Sequence, residues 1–237
     1  MLVYKATDAD MTCHMGKGVF QYQLGVPAFA EVSKCANTGL HACEYVIDCL
    51  RYYPLFGNGR HRYFKAEAGG DIAEDGHDTR IACTRLTLVR ELDNAGIARE
   101  AMRFMIDHPR RGGWKYRGAG VMIEEGYACG DWAGGIAIAR GDDPSVRGGE
   151  GTHVGLLREV DGKIVEAKLC RVTKQGPVKP GVEYTLEGFE KAFVEWSAEA
   201  GVKKLPHVLD ALYRAMSDAS ADGLTGGKEE RNEKESN

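Results

Sequence analysis

The side chains with the greatest chemical reach fall early in the chain: Cys35, His41 and Cys43, with Cys13-His14 upstream and Cys49 downstream. Thiolates and imidazole ligate zinc, and a close Cys/His/Cys trio supplies most of a four-coordinate site. The spacing argues otherwise, because no C-x2-C knuckle is present and Cys43 and Cys49 fall on a predicted helix, where a thiol serves as a small buried hydrophobe. No metal is expected. A Cys nucleophile with His41 as its base is a separate reading, and the spacing singles out no one thiol for it. A second cluster is the basic and aromatic run Arg110, Arg111, Trp114, Lys115, Tyr116 and Arg117. Cations contact phosphates and aromatic rings stack on unpaired bases, so the run is a candidate contact for single-stranded nucleic acid. The alternative is a solvated connector. Gly16-Lys17-Gly18 and residues 148–151 are Gly-rich but lack P-loop spacing and a strand-to-helix setting, so no phosphate role is assigned to them.

The elements that must position these groups are short. Residues 2–7, 18–24 and 27–32 have the β-branched, aromatic or alternating character of strands. Val46, Ile47, Leu50 and Tyr53 recur at helical spacing and Pro54 stops the run, which predicts a helix over 43–53. Residues 61–68 and 79–92 read as strands completing a mixed sheet, and Asp93 or Asn94 can cap a helix to about residue 107. Of the 31 glycines, 13 fall between Gly112 and Gly155, a density that no helix tolerates and that turn-rich β structure requires. Within that stretch, residues 128–133 and 139–144 resemble one another 11 positions apart, each with a Gly-Asp pair suited to a tight turn. Strands follow at 152–160, 163–173 and 182–186, with Asp161-Gly162 as a two-residue hairpin turn. Phe189, Ala192, Phe193 and Trp196 lie at helical spacing, and Pro206 opens a further helix to residue 216.

The expected fold is therefore α+β: a mixed-sheet N-terminal domain (1–108), a basic linker (109–118), a Gly-rich β module (119–187), C-terminal helices (188–216) and a polar, disordered tail (217–237). With 237 residues, 43% of them apolar, the chain can bury a proper core. A formal charge of −4 supplies no global field for a polyanion, so any such binding must come from a local patch. Seven cysteines, an odd number, fit reduced thiols better than a disulfide framework. No signal-peptide apolar region opens the chain and no window reaches a membrane span, so a cytoplasmic protein is expected.

Two resemblances extend this reading. Val3-Tyr4-Lys5-Ala6-Thr7 and Gly39-Leu40-His41-Ala42-Cys43, the latter leading toward Tyr52-Tyr53, resemble the first two motifs of ADP-ribosyltransferase-like folds, with Lys5 standing where His or Arg is usual. That resemblance implies a cleft for NAD: Lys5 and His41 as catalytic candidates, Tyr4, Lys5, Gly39, His41 and Tyr52 as cofactor contacts. Glu67, Glu91 and Glu150 remain open for the carboxylate that polarises the ribose. It also requires Lys5 and His41 to face one pocket. More of the chain, about residues 3–186, resembles a family of phage and prophage proteins. It does so through Lys5-x2-Asp8-x-Asp10-Met11-x-Cys13, Cys35-x3-Gly39-Leu40-His41-Ala42-Cys43, Arg62-Tyr63-Phe64 and Lys179-Pro180-x3-Tyr184. This implies an accessory protein of the host bacterial cytoplasm acting on a host protein. The rival reading is a non-enzymatic module that binds a host protein or single-stranded nucleic acid through Arg110, Arg111, Trp114, Lys115 and Arg117.

Overall fold

The computed structural model describes residues 1–14, 18–57, 60–74, 76 and 78–199. These belong to one compact unit, Met1–Lys203. The helix expected from Pro206 and the tail lie outside the described residues. The architecture is α+β, with two sheets and a helix between them.

The first sheet is built from β1 (Leu2–Asp8), β4 (Pro27–Phe29), β5 (Leu40–Cys43), β6 (His61–Glu74) and β7 (Arg80–Leu92), while β2 (Thr12–Cys13) and β3 (Phe20–Gln21) form a separate ribbon. Its order is β4-β7-β5-β1-β6, and β6 also pairs with β7, so four strands close a ring around Val3, Leu40, Phe64, Ile81, Leu86 and Leu88. Every pairing is antiparallel, which corrects the expectation of a mixed N-terminal sheet. Strands β6 and β7 pair antiparallel along most of their length, from Tyr63 with Leu92 to Glu74 with Ile81, as a hairpin does.

The helix expected over 43–53 is a further correction. Cys43 ends a strand, and the helical turns are a 3-10 helix, Val46–Arg51, with no side-chain bond at its N-cap residue Tyr45. Uncapped, and with Pro54 just beyond it, the segment supports no regular α-helix. By contrast α1 (Asn94–Asp107) begins where expected: Asp93 accepts a hydrogen bond from Gly96 N at 2.7 Å, and Ile97, Met102 and Met105 are buried.

The second sheet carries the mixed pairing. It comprises β8 (Tyr116–Gly118), which takes the last residues of the expected linker, then β9 (Val121–Gly130), β10 (Ile136–Gly148), β11 (His153–Val160), β12 (Lys163–Arg171) and β13 (Glu183–Tyr184). Strands β9, β10 and β11 run parallel, with Val121, Ile136 and His153 in register, although only residues 131–135 and 149–152 connect them. The 10 residues of β9, if straight, would carry the chain about 33 Å from its start, farther than a five-residue link can return. The strands must therefore bend, and they do so at Gly126, where φ is +73°, and at the register shift between Arg140 and Ser145. The chain winds as a coil whose residues in register lie 15 and then 17 positions apart, from Val121 to Ile136 to His153. The 11-residue resemblance is thus not the structural repeat: Gly130-Asp131 lies at a turn, and Gly141-Asp142 lies in the irregularity inside β10. The Asp161-Gly162 hairpin turn forms with both residues at positive φ, +51° and +70°.

Helix α1 packs against β7 on one side and β10, β11 and β12 on the other. Gly155 permits this contact, since a Cβ there would lie 2.7 Å from Met102 Sδ. Helix α2 (Leu186–Glu199) buries Phe189 with Tyr184 and Val178 in the core of the second sheet. No helix among the described residues is long and apolar enough to cross a membrane. Because α1 packs against both sheets, urea unfolding followed by tryptophan fluorescence, which reports only Trp114, Trp132 and Trp196, all beyond the first sheet, should give the same midpoint as far-UV circular dichroism. Two separated transitions would show that the sheets fold as independent domains.

Candidate functional site

Among the described residues, β1 and β5 are joined through one register pair, Tyr4 with Cys43. Beyond it the two strands part. A cavity of about 250 Å³ opens in the gap, bordered by Tyr4, Lys5 and Ala6 on one strand and His41, Ala42 and Cys43 on the other. Cys13 of β2, Asn37 of the preceding loop, Cys49 of the 3-10 helix, Tyr52, Tyr53 and Arg80 at the start of β7 complete the wall. A second cavity of about 270 Å³ shares Lys5, Cys13, Asn37 and His41 and adds Phe20, Tyr22 and Phe29.

The wall is cationic and aromatic. Lys5 is buried at 5% exposure, donates from Nζ to Cys13 Sγ at 3.4 Å and lies 5.3 Å from the centre of the Tyr22 ring. Burial works against the ammonium, but Tyr22, the Cys13 sulfur and Cys49 outweigh it and hold its pKa above the ordinary lysine value. Arg80 stacks over Tyr52 at 5.3 Å, and Tyr52 in turn donates to Asp78 Oδ2 at 2.7 Å. Burial first, then the bond to Asp78, raises the Tyr52 phenol, so it stays protonated and keeps its orientation. Tyr53 donates to Cys13 Sγ at 3.0 Å and is raised by burial and by that bond. No Asp or Glu borders the cavity among the described residues.

Of the residues expected at the site, Tyr4, Lys5, His41 and Tyr52 border the one cavity. Strand alternation qualifies this. Lys5 shares the inner face of β1 with Val3, whereas His41 lies on the opposite face of β5 from the core residues Leu40 and Ala42. The two reach the same space because the sheet is open there, and they are not side by side on one face. Gly39 borders only the second cavity and serves the backbone: its φ is +100°, and a Cβ would lie 3.0 Å from Val32 O and 3.2 Å from Cys83 O. None of the three candidate carboxylates reaches the cavity, since Glu67 is exposed on β6, Glu91 pairs with Arg62 at 2.6 Å and Glu150 accepts from Lys174 N at 3.0 Å. No group of three or more His, Cys, Asp or Glu side chains among the described residues is placed to hold a metal ion.

The basic run lies elsewhere. Arg111 pairs with Glu44 at 2.6 Å, Lys115 with Glu125 at 2.7 Å and Glu124 at 3.2 Å, and Arg117 with Glu124 at 3.7 Å. Arg140 covers the Trp114 ring at 4.9 Å, and Arg110 borders a separate cavity with Arg140 and Glu159. Arg80 and Tyr53 were missed as site residues. Arg80 reads as an ordinary residue near the start of the 79–92 strand and Tyr53 as a plug ending a helix, and only the meeting of β5 with β7 brings them together. If Gly39 is a backbone requirement, Gly39→Ala should lower unfolding stability by about 2 kcal/mol or more in chemical denaturation. An unchanged midpoint would show that the loop adapts and that Gly39 has another role.

Over residues 1–100 the chain matches a family model described as a domain of unknown function (DUF7666). That span contains every described residue of the cavity wall. No curated protein and no solved structure matches the chain.

Proposed function

We propose that the gap between β1 and β5 is a binding site for a small anion carrying an aromatic ring, of the nucleotide class that includes NAD. The observation that carries this reading is the wall itself: Lys5 and Arg80 border one cavity together with Tyr52 and Tyr53. In such a space a phosphate gains charge-assisted hydrogen bonds, and a planar base gains stacking against tyrosine. The resemblance of residues 3–7 and 39–43 to ADP-ribosyltransferase-like motifs supports NAD as the first ligand to test. Binding is favoured over glycosyl transfer, because transfer needs a carboxylate at the reacting ribose and an aligned Lys5–His41 pair. The wall has no such carboxylate among its described residues, and alternation sets the pair on opposite faces.

Isothermal titration calorimetry of the full chain with NAD, ADP-ribose and AMP should show binding by at least one of them with Kd below about 1 mM. Arg80→Gln should weaken it roughly tenfold, the effect of losing one charge-assisted contact, while Arg158→Ala, on the second sheet and paired there with Glu166, leaves it unchanged. Absence of binding by all three at millimolar concentration, or equal loss in both variants, would sink the reading.

A further inference from the structure

Lys5 places an ammonium in the interior with no carboxylate beside it among the described residues. A buried charge must be paired or give up its charge, because its desolvation is otherwise uncompensated. Besides Tyr22, Nζ reaches Cys13 Sγ, and the same sulfur receives the Tyr53 hydroxyl. A neutral thiol is a weak acceptor, whereas two donors converging on one sulfur, one of them cationic, is the environment of a thiolate. Cys13 borders both cavities and is partly exposed, so a small molecule can reach it. Other thiols sit differently. The bond with Cys49 and then burial push Cys43 well up, burial raises Cys83, and burial raises Cys170 to about 11.

We propose that Cys13 is a nucleophilic thiolate paired with Lys5, and that the cavity is a site of covalent addition for a small electrophile with an activated carbon–carbon double bond, an α,β-unsaturated carbonyl. The Cys13 lone pair forms a sulfur–carbon bond at the β-carbon, and the π pair of the double bond moves to give an enolate. The enolate takes one proton from the Lys5 ammonium at its α-carbon. The products are a neutral thioether and a neutral lysine, which regains its proton from water. No oxidant or metal enters the balance. The proton donor the step requires, Lys5 Nζ, stands 3.4 Å from the attacking sulfur.

The test uses substoichiometric N-ethylmaleimide on the full chain at pH 7, with each of the seven cysteines followed by peptide mass spectrometry. Cys13 should be modified at least about tenfold faster than the comparably exposed Cys129, as expected for a thiol held largely as thiolate. Lys5→Met should slow Cys13 about tenfold and Tyr53→Phe about threefold, with the Cys129 rate unchanged as evidence of an intact fold. Should Lys5→Met unfold and expose every thiol, Tyr53→Phe, which removes one hydroxyl, carries the test alone. A Cys13 rate no greater than that of Cys129, or one indifferent to Tyr53→Phe in the folded protein, overturns the proposal. Nucleotide binding plays no part in this experiment, so its outcome is independent of the preceding reading.

Discussion

Glu100 ties the structure together. It is a carboxylate buried on α1, at 4% exposure; it accepts from the Tyr4 hydroxyl at 2.7 Å and Lys65 Nζ at 3.3 Å, and an Arg90 guanidinium nitrogen pairs with it at 3.6 Å. Those partners come from β1, β6 and β7, so one side chain fastens three strands of the ring to the helix. The other side of the helix carries Met102 into the second sheet beside Gly155. A buried carboxylate is tolerable only when its oxygens are satisfied, and stripping its partners would leave an uncompensated charge. The constraint reaches the cavity too. Tyr4, held by Glu100, is also the residue at which β1 meets β5, and the gap begins at the next position.

How much of this could be read from residues alone depended on the distance over which each signal acts. The α1 cap was legible because Asp93 bonds Gly96 three residues on, and the β11–β12 turn because Asp161-Gly162 carries its own positive φ values. The 43–53 segment misled because its apolar period is genuine but answers to neighbours. Val46, Ile47 and Leu50 are buried, yet Asp48 spends its carboxylate on Thr79, 31 residues away, in place of starting an α-helix. The coil of β9, β10 and β11 hid its register because its steps are unequal, 15 and then 17 residues, and the irregularity between Arg140 and Ser145 offsets the second leg, so matching glycines fall at unequal spacing.

The site was legible in its membership and obscure in its geometry. Tyr4, Lys5, His41 and Tyr52 are drawn to one cavity because β1, β5 and the 3-10 helix are adjacent in the ring. Which face each occupies depends on a register that one residue pair sets, and no local pattern records it. The basic run shows the converse. Its cations are plain in the chain, but Glu44 and Glu124, which pair with them, are not marked as partners, and a stripe that looks free to hold phosphate is occupied from within.

The open seam and the buried lysine are aspects of one constraint. Had the β1–β5 ladder continued past Tyr4 and Cys43, Lys5 would stand opposite Ala42 on the inner face, among Val3, Leu40 and Phe64, with Tyr22 as the polar neighbour in that core. Parting the strands removes that pairing and lets Cys13, carried by the β2–β3 ribbon, bring its sulfur to Nζ. A ring of four strands otherwise fills with side chains and encloses nothing. Here a charged residue in an interior position is accommodated by leaving the sheet unfinished, and the space left unfinished is the cavity.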